Sequence, residues 1–407
     1  GILNLIGGGT VGSTGRLDVS NSELKLGSAL SFAGTLVVNS GTTWSGFGGT
    51  LDLSAGTLES GGGTFNLDDF TIGANSTFRL SGDTEISSAS DLTLGNLELN
   101  GNTLSLEFAS VGDPAFILPN TLTMDNVGSV IETRGSNLEL ADALQLNSGS
   151  ITSTGGTLRF TGGLTMGASG VLDVTGSTLS VSGALDLSVG TFSSNSSVLK
   201  LEDAATLSSN SPVSFGSLNL NDKVLTLGSA TTQLNITDAN TALALSGITL
   251  ETGDGSLTLS GALTMSNGAE LNSSGGTITL NSGGSLASGS TLSLPDSTLV
   301  LQNALAISAS TLKTKNTTLT TNGKALSLSA GILEVEGVQD LSGVSTDGTG
   351  TLRLIANTSL NDNAALSVGT LDLADFALTL DDAMAGLYVT QAVTLDAAGE
   401  QIVTGAA

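Results

Sequence analysis

The stretch that decides the fold is GSLTLSGALTMSNGAELNSSGGTITL, residues 255–280. It contains three short runs in which apolar and polar residues alternate, SLTL, ALTM and AELN, and a fourth run, TITL, that starts the series again. Alternation places successive side chains on opposite faces of a β-strand. The breaks between the runs contain Ser-Gly, Asn-Gly and Gly-Gly, which tolerate the conformations of tight corners. The stretch therefore predicts three short strands joined by corners.

The same three runs recur along the chain at a step of about 20 residues. The first recurs through Leu257, Ile278, Leu299 and Leu319, the second through Leu263, Leu286, Leu305 and Leu326, and the third through Leu271, Leu292, Leu312 and Leu333. Earlier series pass through Leu138, Leu158, Leu179, Leu199 and Leu218, and near the start through Leu24, Trp44 and Phe65, Leu30, Leu51 and Ile72, and Leu36, Leu58 and Phe78. A fixed period of this length is typical of a repeat architecture.

Three strands and three corners in about 20 residues describe one coil of a triangular β-solenoid. The fold class is therefore all-β, a right-handed parallel β-helix whose coils stack about 4.8 Å apart. About twenty coils would form a rod on the order of 95 Å long. Apolar residues at every second position do not make a helix stripe, which excludes a helical fold. Two packed β-sandwiches stay open as an alternative, although they do not require the period.

We expect one continuous solenoid over residues 1–407. The pattern GxLxLxxxxLxL occurs at 94–106, 215–227 and 368–380, which indicates tandem multi-coil blocks at roughly 76–195, 196–349 and 350–407. The repeat is least regular near 107–120 and 339–350, and the coil register is left open near 86–118 and 225–257. In the segment near 107–120, Pro114 and Pro119 have no N–H to donate to a ladder, so they belong at a bulge, a corner or a protruding loop.

Composition narrows the classes of function. The chain has 37 acidic and 11 basic residues, a formal net charge of −26, no histidine and no cysteine. Nucleic-acid binding requires clustered lysine and arginine, so it is not expected. The absence of histidine and cysteine excludes Ser-His-Asp and Cys-His catalysis, thiolate metal sites and ordinary zinc sites. No apolar run is long enough to predict a transmembrane segment.

The remaining candidate sites are oxygen-rich. Two acidic pairs, Asp68-Asp69 and Asp381-Asp382, are interpreted as solvated turns because neighbours in a strand point to opposite faces. The calcium-binding repeat GGxGxDxUx does not occur, and TGDG (252–255) and TDGTG (346–350) are typical of turns. We therefore expect no enzyme and no catalytic, cofactor or metal residue, with structural calcium at an acidic corner as the alternative.

An outward row of threonine would suggest ice or crystal binding. Thr258 and Thr279 align in the repeat, but Val300 interrupts the row before Thr320. Threonine is also common on any exposed strand face because of its β-propensity. The row is therefore interpreted as an ordinary strand surface.

The recurring GxLxLxG, ALxxSxG and xLxSxGG phrases resemble the repeat regions of bacterial surface β-solenoids, the filamentous-haemagglutinin-like and autotransporter-passenger adhesins. The resemblance covers most of the chain and implies an extracellular or cell-surface structural protein, a rod, stalk, filament or coat with adhesive or self-assembling properties. It implies as partners either self-association, end to end or side by side, or host glycans and proteins. A carbohydrate-binding or carbohydrate-active β-helix is the alternative.

Overall fold

The computed structural model describes all of the chain except residues 47–49, 69, 109–113, 342–343, 347, 362–364, 381–385, 396–398 and 405–407. Across the described residues the regular structure is entirely β-strand, without a helix. Parallel strands stack into a β-solenoid of about 18 turns that lie about 21 residues apart. This arrangement confirms the predicted parallel β-helix.

The chain divides into two compact units, 1–203 and 204–407, which are described separately. The strands β1 to β24 are Ile2–Leu5, Gly9–Val11, Arg16–Asp18, Glu23–Leu26, Leu30–Phe32, Thr35–Val38, Thr43–Gly46, Leu51–Asp52, Thr57–Asn66, Phe70–Thr71, Thr77–Ser87, Leu92–Thr93, Asn96–Glu98, Thr103–Leu106, Ala115–Leu118, Leu122–Met124, Val130–Glu132, Asn137–Leu140, Leu144–Thr152, Thr157–Phe160, Leu164–Asp173, Thr178–Asp186, Thr191–Ser193 and Val198–Ser208.

The strands β25 to β48 are Val213–Phe215, Ser217–Asn219, Leu225–Leu227, Gln233–Ile236, Leu243–Ser246, Thr249–Gly253, Ser256–Leu259, Leu263–Ser266, Glu270–Ser273, Thr277–Leu280, Gly284–Leu286, Thr291–Pro295, Thr298–Leu301, Leu305–Ser308, Thr311–Lys315, Thr318–Thr320, Leu326–Ser329, Ile332–Gln339, Val344–Thr346, Thr351–Leu360, Ala365–Asp372, Ala377–Leu380, Gly386–Thr394 and Gln401–Thr404.

Three parallel sheets form the sides of the second unit. One contains β25, β28, β31, β34, β37 and β40, and another contains β29, β32, β35, β38, β41 and β43. The third side runs through β27, β30, β33, β36, β39 and β42. Each coil contributes one strand to each sheet, as the three alternating runs predict.

The deciding stretch forms β31, β32, β33 and β34 in the predicted order. The first series of leucines pairs in register from Leu257 to Ile278, Leu299 and Leu319. The third series pairs equally well, from Leu271 to Leu292, Leu312 and Leu333. All eight side chains of these two series except Leu319 are fully buried. In these two series, residues one period of about 20 residues apart are therefore paired in adjacent strands.

Two positions of the predicted register are wrong. Leu263 pairs with Gly284, and Leu286 lies opposite Met265, so the second series is displaced by two residues at Leu286. The side chain of Leu263 is not covered by a leucine in the next coil, because a Cβ at position 284 would overlap the carbonyl oxygen of Leu263. Glycine is therefore required where the pattern predicts an apolar residue.

The second wrong position lies in the first unit, where Leu51 pairs with Phe70 rather than with Ile72. Other steps of the series in that unit are confirmed: Leu24 pairs with Trp44. Leu36 pairs with Leu58, which pairs in turn with Phe78, and Leu138 pairs with Leu158, which pairs with Leu179. Near the two prolines, Ala115–Leu118 is a strand that pairs with β12 and β18. Pro114 and Pro119 flank it, where the ladder needs no donor from them.

The interior is filled by Leu, Ile and Val with a few phenylalanines, among them Phe32, Phe65 and Phe116. Hydroxyl groups replace these residues at corners, where the buried side chain must satisfy the backbone or its neighbour. Ser153 Oγ illustrates this arrangement, since it lies 2.8 Å from both Thr133 Oγ1 and Ser177 Oγ in the flanking coils. The corners are thus tied from coil to coil by polar contacts, and the strands by apolar ones.

Candidate functional site

Basic side chains on the outer surface are engaged with carboxylates of the same chain. Within the described part of the chain, nine of the eleven basic residues form ion pairs, namely Arg16, Lys25, Arg79, Arg134, Arg159, Lys200, Lys313, Lys315 and Arg353. Cross-strand pairs of opposite charge stabilise adjacent strands modestly. The few cations therefore serve the surface of the solenoid itself.

The clearest example in the second unit is an alternating ladder of charge. Lys313, Glu334, Arg353 and Asp372 occupy the same outward position in four successive coils. Glu334 lies 3.3 Å from Lys313 Nζ and 3.5 Å from Arg353 Nη1, and Arg353 Nε donates to Asp372 Oδ2 at 2.9 Å. The hydrogen bond to Asp372 raises the pKa of Arg353 above its usual value.

A cluster of the first unit gathers three carboxylates around one cation. The guanidinium of Arg134 lies 2.7 Å from Glu85, 3.3 Å from Glu107 and 3.0 Å from Glu132. Hydrogen bonding to Glu107 is the main reason that the pKa of Arg134 is raised, with further contributions from Glu132 and Glu85. The guanidinium of Arg134 therefore offsets the repulsion among these three carboxylates, which belong to neighbouring coils.

One side of the first unit carries a surface groove of about 260 Å³. It lies between β13 and β16, which occupy the same side of consecutive coils. Ten residues line it: Leu97, Glu98, Leu99, Asn100, Leu122, Thr123, Met124, Asp125, Asn126 and Ser129. Leu99, Leu122 and Met124 are buried and Leu97 is half-buried, so the floor is apolar and the rim is polar.

The groove lies where hydrogen bonds between β13 and β16 would be expected in a closed sheet. β13 pairs on one side with β11, and β16 pairs on one side with β19. Within the part of the chain that the structure describes, no ladder pairing joins β13 to β16. Beyond the ends of the two strands, Asn120 Nδ2 donates to the Gly95 carbonyl at 2.9 Å and the Gly101 N–H donates to Ser129 Oγ at 3.1 Å.

The candidate acidic sites stay apart from this groove. The carboxylate of Asp68 accepts hydrogen bonds from the Ala89 N–H at 2.7 Å and from Ser88 Oγ at 3.2 Å. The bond from Ala89 is the main reason that the pKa of Asp68 is lowered. Asp68 therefore ties a corner to the next coil, whereas Asp69 and the pair Asp381-Asp382 lie outside the described residues.

The two glycine-containing acidic turns do not form a ligand cage in the described residues. At TGDG (252–255), Asp254 accepts a hydrogen bond from Ser274 Oγ at 3.4 Å. In TDGTG (346–350), residue 347 lies outside the described residues. Among the described side chains, no group of three or more His, Cys, Asp or Glu residues is arranged to hold a metal ion.

The outward threonine row has the register that the repeat predicts. Thr258 pairs with Thr279, Thr279 with Val300, and Val300 with Thr320. Sequence reasoning missed the groove, because the coil register between residues 86 and 118 could not be read from the leucine pattern. The only signal for it was the spacing itself, which is uneven in this part of the chain and around 225–257.

None of the described segments forms an apolar helix of membrane-spanning length. The class of protein that the fold defines is a parallel β-solenoid built from tandem coils. Comparison of the chain with protein-family models, with curated proteins and with solved structures finds no significant match.

Proposed function

We propose that this chain is an extracellular structural protein that acts as a stiff scaffold, a stalk, filament or surface coat, with adhesive or self-assembling properties. The observation that carries the proposal is that the apolar, hydroxyl and cationic side chains of the chain are engaged in contacts within the solenoid. Its apolar residues fill the interior, its hydroxyls tie the corners, and nine of its eleven cations pair with its own carboxylates.

Stiffness follows from the ladders. Each coil of a solenoid contacts only its neighbours, so its stability comes from the interfaces between coils. In the second unit the leucine series from Leu271 to Leu333 passes through four coils without interruption. Such a stack resists bending because bending would break parallel hydrogen bonds along a whole side.

Self-association is supported by exposed apolar residues on β47 and β48. Tyr388 and Val393 in β47 and Ile402 and Val403 in β48 are each at least 40% exposed. Exposed apolar side chains favour contact with another protein surface, because such contact removes their apolar area from water. We propose that this surface, which we call the β47–β48 surface, contacts another copy of the chain.

Negative-stain electron microscopy and analytical sedimentation test the proposal together. We expect elongated particles and a sedimentation coefficient that rises with protein concentration. Ile402→Lys should abolish that rise, whereas Val189→Lys, which alters an equally exposed valine in a corner of the first unit, should leave it unchanged. Compact particles that remain monomeric at all concentrations would contradict the structural role.

A further inference from the structure

In the groove between β13 and β16, two strand edges face each other that have no ladder partner among the described residues. Alternate residues of a parallel strand direct their N–H and C=O groups to opposite neighbours. The Asn96 N–H donates to the Ser76 carbonyl, so Asn96 and Glu98 are bonded toward β11, and the backbone groups of Leu97 point into the groove. On the far edge the Leu122 N–H donates to the Ala143 carbonyl, which leaves those of Thr123 pointing into the groove.

Unpaired edges of this kind are templates for another strand. Exposed main-chain donors and acceptors favour pairing with an extended peptide, and alternate pockets then select its side chains. We propose that the groove binds an extended segment of a partner protein, which inserts between β13 and β16 as an additional parallel strand.

The outer face indicates the charge of that segment. Glu59, Arg79 and Glu98 occupy one outward position in three successive coils, and they alternate in sign. Arg79 Nε donates to Glu98 at 2.5 Å, and Glu59 lies between Arg16 at 3.2 Å and Arg79 at 3.9 Å. Glu59 thus accepts a cation from each side, whereas Glu98, among the described residues, has one only on the β11 side.

The apolar floor of the groove indicates which residues should lie on either side of the central residue of the inserted segment. Leu97 and Leu99 project inward from one edge of the groove, and Leu122 and Met124 project inward from the other. An inserted strand would place two apolar side chains in this row and the residue between them beside Glu98. The segment that fits is therefore apolar–basic–apolar in an extended conformation, with Arg or Lys at its centre.

The chain itself contains segments of this type, which provide a probe of known strand conformation. The sequence GTLRLIA (350–356) places Leu352, Arg353 and Leu354 in β44. A fluorescent synthetic peptide of this sequence can be titrated with the full-length protein, using anisotropy for affinity and amide NMR of Leu97 and Thr123 for location. We expect saturable binding that shifts these two amides, and at least tenfold weaker binding of the matched peptide GTLELIA.

Substitutions on the protein separate main-chain recognition from charge. Thr123→Pro removes the N–H that faces the groove and none that bonds to β19, so binding should be lost while the melting temperature is kept. Thr123→Ala retains the N–H and should bind as the wild type does. Glu98→Gln should weaken binding of the arginine peptide by about two- to fivefold, the contribution of one exposed ion pair, and leave binding of the peptide GTLQLIA unaffected.

Several results would overturn the proposal. Equal binding of the arginine and glutamate peptides would rule out charge selection, and full binding to Thr123→Pro would rule out strand insertion. Displacement of the peptide by a neutral oligosaccharide at millimolar concentration would assign the groove to glycans instead. Sedimentation that depends on concentration in the wild type and not in Thr123→Pro would make a second copy the occupant; these outcomes are independent of the β47–β48 surface.

Discussion

The coils between residues 256 and 335 and those between residues 78 and 131 are both built from short parallel strands. They differ in the number of residues from one coil to the next. In the first region, the third leucine series advances by 21, 20 and 21 residues per coil. In the second region, Phe78 pairs with Leu97 after 19 residues, Leu92 with Phe116 after 24, and Leu104 with Ile131 after 27. The uniform region has three closed sheets, and the uneven region contains the groove.

The difference in spacing between the two regions is accompanied by a difference in how many sides of the solenoid are closed by hydrogen-bond ladders. A side of the solenoid closes when the strands of successive coils lie one strand spacing apart on that side. Where extra residues enter the corners, two sides still pair, as β12 does with β15 and β14 with β17. On the third side the described strands are not paired, and Leu97 is only half-buried although its neighbour in the series, Phe78, is buried. In this part of the solenoid, irregular spacing is therefore accompanied by strand edges that have no ladder partner among the described residues.

The largest expected effect comes from removing a leucine in each region. Leu299 lies in an unbroken series and is 1% exposed, so Leu299→Ala should reduce the free energy of unfolding by about 2–5 kcal/mol. Leu97→Ala should cost less than half as much, because solvent already reaches that side chain. Urea unfolding followed by circular dichroism measures both variants, and equal losses would show that the groove is closed in solution.

A smaller effect separates close backbone approach from backbone conformation. Gly284→Ala should cost about 1–3 kcal/mol, because the new Cβ would overlap the Leu263 carbonyl oxygen and the strand must shift. Gly289 has a φ of +75° and open space where an added methyl group would lie, so Gly289→Ala should cost about 1 kcal/mol through conformation alone. Thermal unfolding of both variants would contradict this ranking if Gly289→Ala were the more damaging.

A pH-dependent effect of less than about 1 kcal/mol is expected at Glu202. Ser180 Oγ donates to its carboxylate at 2.5 Å and Lys200 Nζ lies 2.9 Å away, and these contacts lower its pKa. A carboxyl whose pKa is lower in the folded state stabilises that state above its unfolded pKa of about 4.3 and loses this contribution as the pH falls through the folded value.

The comparison of wild type with Glu202→Gln isolates this group from the repulsion among all other acids. We expect the wild type to be the more stable at pH 7 and the difference to shrink as the pH falls below about 4.3. A difference that is constant over this range, measured by urea unfolding at each pH, would show that the contacts of Glu202 do not depend on its charge.

The smallest effect concerns a corner that repeats through five coils. Gly247, Asn267, Ser288, Ala309 and Ala330 all have a positive φ, between 48° and 66°. Alanine is disfavoured in this conformation, so Ala309→Gly should stabilise the protein by a few tenths of a kcal/mol up to about 1 kcal/mol. Ala306→Gly, in the neighbouring strand β38, should destabilise it by about 0.5–1 kcal/mol. Differential scanning calorimetry compares them, and two changes of the same sign would contradict the assignment.

Sequence alone was sufficient wherever apolar side chains fix the register. The series through Leu257 and Leu271 could be predicted residue by residue, because each step places one leucine on the next. The error at Leu286 arose because close approach of two backbones selects Gly284, which carries no apolar signal. The groove could not be predicted because it depends on a missing hydrogen-bond ladder, and no residue type marks a missing rung.

Disulfide trapping in the otherwise cysteine-free chain tests the central claim, that one coil lies directly upon the next, most directly. Thr258 and Thr279 are register partners, so their Cα atoms should lie about 4.8 Å apart, within the range of a disulfide. Thr258 and Val300 lie two coils apart, at about twice that spacing. We expect rapid intramolecular oxidation of Thr258→Cys/Thr279→Cys and none of Thr258→Cys/Val300→Cys. Failure of the first pair, or equal oxidation of both, would contradict the solenoid.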